Sequence, residues 1–588
     1  MKTVLLSTLL LFAAWSSFGQ NVNIPDANFK AELVNNTNIN TNQDTEIQVS
    51  EANAYTGSLD VSSKQISDLT GIEEFTSISS LNCSSNSLNN LDISKNTSLV
   101  TLSCFSNNLS SLNVDSNTTL LTVSCGYNQL TNLDVSNNTS LIWLYCEYNQ
   151  LTNLDISQNT SLSRLFCNSN QLTNLDVSKN TSLFWLYCQY NQIDTLDLST
   201  DTSLTALYCN ANDIKSLVVN NNPDLIVLNC ENNELSHLHI DNDTSLTKLY
   251  CTGNKLDSLI IDNNKALEQL FCNRNNLTTL DASNNTALTF LDCSSNQISN
   301  LNANNLPVLR TLTCDHNNLT SLVINQNTAL SNLNCDHNQI TNINLNNNRS
   351  LASLTCNNNQ LPSLDISNND TLNYINCSHN SIPNLDFSNT SRLLYLYCGN
   401  TNLTSLDLSN SPNVIKVTCD SASITALDFS SNSSLSELYC QKNQLTSLNV
   451  KNGNNSNMFN SYFRAEDNPD LKCILVDDAA YSTINWQNVD TSASFNTVCQ
   501  SSVQQFAATD KDWSFSPNPV SSILSLNLDD LQEDCTIQVI DLRGQLVLSK
   551  QISIDNSPEL DIRNLNTGIY FLKIFTRSEY KTFQFLKE

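Results

Sequence analysis

Twenty-one cysteines are the side chains of this chain with the most chemistry to offer, and in an exported protein they would suggest disulfides. Their spacing argues otherwise. Eighteen recur every 21 residues without a slip, from Cys83, Cys104 and Cys125 through to Cys419 and Cys440. A fixed period of that length means one structural unit stacked on copies of itself. Equivalent cysteines then point the same way at the strand spacing, whereas a disulfide wants its Cβ atoms about 3.8 Å apart. The ladder is expected to be buried free thiols acting as small apolar side chains, with metal binding or partial oxidation as the other reading.

Few other groups suit catalysis. The chain has five histidines, no H-E-x-x-H, no G-x-S-x-G and no phosphate-binding glycine loop. Asp315-His316 and Asp336-His337 lie one repeat apart, with His379 two repeats beyond, which reads as a surface metal site or as a solvated polar edge. A carboxylate series stands nine residues after Cys: Asp92, Asp134, Asp155, Asp176, Asp197, Asp281, Asp365, Asp386, Asp407 and Asp428. Stacked in rows, neighbours would repel by about 1 kcal/mol in water. Hydrogen bonds to nearby hydroxyls and amides would relieve that, and so would weakly bound calcium.

A binding surface is the better-supported chemistry. Tyr145, Phe166, Tyr187 and Tyr208 immediately precede Cys in four consecutive repeats. Trp143 and Trp185 come two residues earlier, and Tyr127, Tyr148 and Tyr190 just after Cys. If Cys points inward, strand alternation turns the rings before it outward. Glu147 and Gln189 are placed to orient a ligand there. Stacking between adjacent strands is the competing structural account.

The element that positions these groups is the repeat. In the unit opening at Leu99, the fixed positions are Leu99, Leu102, Cys104, Asn107, Leu109, Leu112, Val114 and Asn117. This resembles the leucine-rich repeat L-x-x-L-x-L-x-x-N-x-L, with Cys standing where a strand leucine is usual, over about residues 59–450. The resemblance implies a predominantly β solenoid of parallel strands, with ligands bound on the strand face. Leu102-x-Cys104 and Leu112-x-Val114 both alternate with period two, so each turn is expected to carry two short strands. Asn follows Cys by three in sixteen of the eighteen units, failing at Thr401 and Ala422. Its amide would tie down the corner and bond rung to rung. Eighteen rungs at roughly 4.8 Å make a stack on the order of 85 Å.

Residues 1–19 read as a signal peptide: Lys2, an apolar run from Val4 to Trp15, then Ser17 and Gly19. Residues 20–58 lack the period and should cap the core. Within them Asn40, Asn42, Asp44, Glu46, Gln48 and Glu51 match positions 1, 3, 5, 7, 9 and 12 of an EF-hand-like loop. Asn40 replaces the usual Asp and Thr45 the turn glycine, so calcium binding and an ordinary polar capping loop are both open; no other cofactor is called for. The run at 66–78 resembles the entry turn of internalin-type repeat proteins. Residues 451–499 look like a C-terminal cap, with Cys473 and Cys499, outside the ladder, as the candidate disulfide.

After a linker at 500–510 the composition changes. "FSPNPVSSILSLNL", "TIQVIDLRGQLVLSKQI" and "LNTGIYFLKIF" resemble the type A sorting domain of the type IX secretion system, over about residues 511–588. That domain is an Ig-like β-sandwich on exported proteins of Bacteroidetes-type bacteria. The resemblance implies contact with the secretion machinery and release or attachment at the outer surface. A net charge of -29 is the wrong sign for nucleic acid or an anionic membrane surface, and no run after the first 19 residues approaches the roughly 20 apolar residues of a span. The expected function is protein binding or adhesion at the cell surface, ahead of glycan binding, with an enzyme scaffolded on the solenoid third.

Overall fold

Three residues per repeat form the strand, and their order explains why. In Thr101–Ser103, as in Trp143–Tyr145, the central Leu is buried and its neighbours face out. The next residue, Cys, is buried again: every ladder cysteine is at most 1% exposed. The apolar edge so formed can be covered only by the next rung. The result is a 20-stranded parallel sheet running from Ser58–Asp60 to Phe463–Arg464. Its register is the sequence period itself, as in Leu144↔Leu165↔Leu186. A computed structural model of the chain describes residues 19–219, 221–499, 507–508, 513–528, 534–553, 559–576 and 579–588. The signal-peptide core (1–18) and most of the 500–510 linker lie outside the described residues.

Beyond each strand the chain turns a corner in the left-handed region. Residues two after Cys, from Ser85 to Lys442, have φ between 46 and 57°, apart from Gly253 at 69°. The Asn that follows clamps the corner. Asn149 Nδ2 donates to the carbonyls of Cys146 in its own rung and Cys125 in the rung before, while its Oδ1 accepts from Leu130 N at 2.9 Å. Where Thr401 replaces Asn, its hydroxyl keeps only the bond to Cys398 O, at 2.8 Å.

The return side of the rung differs from expectation. Among the described residues, pairing on this side occurs at 195–197 with 216–218, at 279–281 with 300–302, along 426–428, 447–449, 473–475 and 494–496, and as one isolated bridge between Leu322 and Ile343. Elsewhere the backbone follows the same path without strand pairing. On this side the Oδ1 atoms of Asp134, Asp155 and Asp176 each accept the backbone N–H two residues on at 2.9 Å, closing a local turn.

Both caps share one continuous core with the rungs. Helix α1 (Ala27–Asn35) is N-capped by Asp26, whose other carboxylate oxygen takes the N–H and hydroxyl of Ser67. Phe29, Leu33, Ile39 and Ile47 cover the open end. At the other end Phe463 stacks on Trp486 at 4.2 Å, and Trp486 Nε1 donates to Met458 O.

The chain divides into two compact units, the second running from Val498 to Glu588. That unit has a sheet of 535–541, 546–552, 568–575 and 579–587 with a short strand at 507–508, and a second antiparallel sheet of 514–516, 523–527 and 559–561. Leu524, Ile537, Val539, Leu560, Leu572, Ile574 and Phe585 fill its core. Asp541 Oδ1 closes the turn at Gly544 by accepting from Arg543 N and Gln545 N, and Asn518 Oδ1 accepts Leu586 N, tying the Pro517-Asn518-Pro519 segment to the last strand.

Candidate functional site

The strand face of rungs 143–208 gathers most of the aromatic residues singled out above. Register puts Trp143, Arg164 and Trp185 in one row and Tyr145, Phe166, Tyr187 and Tyr208 in the parallel row two residues on. In the second row Phe166 lies on Tyr187 at 4.3 Å and 7°, Tyr187 on Tyr208 at 4.6 Å and 18°, and Tyr145 meets Phe166 at 4.9 Å, tilted. In the first row the Arg164 guanidinium carbon sits 4.8 Å from the Trp143 ring centre and 4.4 Å from that of Trp185. A cation held between two indoles is worth about 0.5–1 kcal/mol per contact when exposed. Arg164 was legible in principle, since it occupies the tryptophan position in the intervening rung.

Tyr127, Tyr148 and Tyr190 do not join that face. They occupy the left-handed corner position, where Tyr127 and Tyr148 stack at 4.1 Å and Tyr190 is 59% exposed two rungs further on. Glu147 and Gln189 stand one residue before that corner. Glu147 lies over Gly126 of the preceding rung, where a Cβ would sit 2.8 Å from its carboxylate, and burial pushes its carboxyl above the usual range. Glu147 Oε2 and Gln189 Oε1 are buried without a hydrogen-bond partner, as is Asp336 Oδ1 at the equivalent position of a later rung. Beside the aromatic rows, exposed Phe184 with Thr205, Asp224 and Ile226 lines an open groove of about 440 Å3.

Two further aromatic groups on the same face were missed: Tyr250, Phe271 and Phe290, stacked at 5.1 and 4.5 Å, and Tyr374, Tyr395 and Tyr397, with Lys416 between Tyr397 and Tyr439. Their signal was the column position itself, read across all eighteen rungs and not only the four densest.

The remaining candidates are placed as follows. In the capping loop, Asp44 accepts from Asn42 Nδ2, Gln48 Nε2 and Glu46 N; Glu46 pairs with Lys30; Glu51 accepts from Thr41, Asn42 and Gln48 backbone N–H groups and caps helix α2 (Val49–Ala54); buried Asn40 donates to Val34 O and Asp44 O. Those bonds tie the loop together, and Asn40 Oδ1 is buried without a hydrogen-bond partner. All ten Asp residues of the carboxylate series accept the N–H two residues on. For Asp92, Asp134, Asp155 and Asp176 that bond is the first cause of a lowered pKa. The eighteen ladder thiols are free and buried, and loss of hydration pushes Cys104, Cys188 and Cys230 up to about 12. Cys473 and Cys499 are disulfide-bonded. Among the described residues, no helix is long and apolar enough to cross a membrane.

Residues 514–588 match the family model of the secretion system C-terminal sorting domain. No curated protein matches the chain. Among solved structures, YopM from Yersinia enterocolitica is 23% identical over 66% of this chain and 88% of its own, with a TM-score of 0.53. A leucine-rich-repeat protein from Leptospira interrogans is 23% identical over 57% and 94%, with a TM-score of 0.50. The functional domain of InlJ from Listeria monocytogenes, described as including a cysteine ladder, is 26% identical over 97% and 98%, with a TM-score of 0.44. The chain is a leucine-rich-repeat solenoid with a secretion sorting tail. The tail directs this leucine-rich-repeat protein through type IX export to the cell surface or beyond.

Proposed function

We propose that the protein binds a protein partner at the cell surface, without catalysis, through the strand face of rungs 143–208. The observation that carries the reading is the Trp143–Arg164–Trp185 sandwich alongside the continuous Tyr145–Phe166–Tyr187–Tyr208 stack. Trp, Tyr and Arg are the side chains that concentrate binding energy at protein interfaces. Stacking favours a protein over a glycan. Sugars pack on the free face of a ring, and here the tyrosine and phenylalanine faces cover one another along the sheet, leaving edges and hydroxyls outward.

The test uses the full chain, wild type and with Trp143, Tyr145, Trp185 and Tyr187 replaced together by Ser, probed against parallel arrays of surface proteins and of glycans. Retention on proteins, lost in the variant while the melting transition moves only modestly, is the expected result. Retention on glycans alone would transfer the site to the carbohydrate reading. Unfolding of the variant, or binding that survives it, would make the stack a structural one.

A further inference from the structure

Away from the aromatic rows, at rungs 314 and 335, the sheet brings together a different set of donors. Thr313 pairs with Asn334, so the two corners that follow are adjacent. His316 and His337 occupy the left-handed corner position, with φ of 52 and 46°. That conformation sets their rings in parallel, 4.3 Å apart at 10°. Both side chains are about half exposed, at 54 and 46%, while the carboxylates preceding them are held close to the backbone at 15 and 16%.

The two carboxylates are not equivalent. Asp315 is saturated: Oδ2 lies 2.8 Å from His316 Nδ1 and Oδ1 accepts from Asn334 Nδ2 at 2.9 Å. Asp336 Oδ2 lies 3.2 Å from His337 Nδ1, but its Oδ1 is buried with no hydrogen-bond partner. One ligand atom from each of His316, His337 and Asp336 lies within 4.8 Å of the other two, and this is the one such group of three His, Cys, Asp or Glu side chains among the described residues. His379, two rungs further on, stands outside it.

We propose that His316, His337 and Asp336 bind a divalent transition-metal ion of the zinc class. Two imidazoles and a carboxylate suit zinc, copper or nickel better than calcium or magnesium, which take oxygen ligands. Bonds of about 2.0–2.1 Å require tetrahedral ligands to stand roughly 3.4 Å apart, so the donors must close by roughly 1 Å. The exposed imidazoles can rotate to do so, while the Asp336 side chain, 16% exposed, has less room to move. Asp315, bonded to His316 Nδ1, is the positioning carboxylate that commonly orients a ligating histidine. Three protein ligands leave one coordination position for water or for a side chain of a bound partner. The ladder thiols of these rungs, Cys314 and Cys335, are buried in the core and do not compete in the folded protein.

The experiment is calorimetric titration of the full chain with zinc chloride, repeated with cobalt to read the visible spectrum of a tetrahedral site. One equivalent should bind the wild type. Asn is the replacement of choice for both histidines, because Asn358 and Asn400 hold the same left-handed corner in neighbouring rungs. H316N/H337N should abolish that equivalent and the cobalt bands, and D336N should weaken binding by at least about tenfold. D315N, which leaves all three ligands in place, should weaken it less than D336N does. Melting curves of the variants without metal should overlay that of the wild type. Absence of binding by the wild type, or an equivalent retained in the folded H316N/H337N double variant, would overturn the assignment.

Discussion

The two sides of each rung carry out the same task with unequal strictness. On the strand side, the sheet is unbroken over 20 strands, and the Asn three residues after Cys is replaced in only two of eighteen rungs. On the return side a second asparagine ladder, from Asn96 to Asn432, is interrupted in five of seventeen positions, by Asp201, Asp243, Leu306, Thr390 and Ser411. Bond counts explain the contrast. Asn149 makes four bonds and uses both ends of its amide. Asn159 donates to Val135 O and Asn138 O, and its Oδ1 is left without a partner. Stacking tolerates substitution where the side chain completes fewer backbone groups.

The largest expected effect concerns the thiols, which lie wholly on the strict side. An alkylating reagent should label almost none of the eighteen ladder cysteines in native protein and nearly all after denaturation, counted by mass spectrometry. Labelling of a contiguous block under native conditions would show that those rungs open locally and that the strand side is not uniformly stable. Next comes a direct comparison of the ladders. Replacing Asn149 by Ala orphans buried backbone groups at both ends of the lost amide, at a cost on the order of 3–5 kcal/mol. Replacing Asn159 by Ala orphans carbonyls alone and should cost roughly 2 kcal/mol. Equal losses in denaturant melts would remove the bond-count explanation.

Much of this was readable from the residue pattern, and each exception has its own cause. Period, parallel register, inward cysteines and the Asn149-type clamp all follow from positions that keep one residue type. The left-handed corner does not, because Ser106, Tyr127, His316, Arg274 and Lys442 all occupy it and none is a residue that announces positive φ. Tyr127 and Tyr148 were therefore grouped with the strand rings, though they stack on a separate corner column. Arg164 breaks the aromatic pattern by residue type, although register alone places it between Trp143 and Trp185. The sparse return strands were hidden for a different reason: the alternation at Leu112-x-Val114, which is unpaired, is the same as at Leu196-x-Leu198, where 195–197 pairs with 216–218.

The interruptions of the return ladder give the next effect. Asp201 and Asp243 stand where an amide would donate to two carbonyls, and a carboxylate has nothing to donate. Burial raises Asp201 to about 7 and Asp243 to about 6, and each has a buried Oδ2 without a partner. Because the folded pKa lies above the unfolded value near 3.9, the fold binds these protons more tightly. Stability from this source is complete below pH 4 and is lost as pH rises through 6 and 7. D201N/D243N restores the donors at every pH. It should therefore stabilise the protein by about 2 kcal/mol at pH 8, and by progressively less toward pH 4. A gain that does not depend on pH would mean that the two acids are already neutral or already paired.

The smallest effect tests why the return side pairs into strands in so few places. Asp134, Asp155, Asp176 and Asp197 follow one another in consecutive rungs, and Asp176 raises the carboxyl pKa of both Asp155 and Asp197 through like-charge repulsion, against the larger lowering by their own turns. In the three paired segments that open with an Asp strand, the residue one rung on is not Asp: Asp197 faces Val218, Asp281 faces Asn302 and Asp428 faces Asn449. In the last two pairs the Asn side chain donates to the Asp carboxylate, at 3.1 and 3.0 Å. Asp176→Asn would convert two repulsive contacts into amide-to-carboxylate contacts. It would also keep the local turn, since Asn113 and Asn344 accept the same backbone bond. The expected gain is about 0.5 kcal/mol, in the range of a favourable cross-strand pair. The sharper readout is local: amide hydrogens of residues 174–178 should exchange more slowly than in the wild type, with those of the strand side unchanged. Unaltered exchange there would show that the charge row does not keep the return side from pairing.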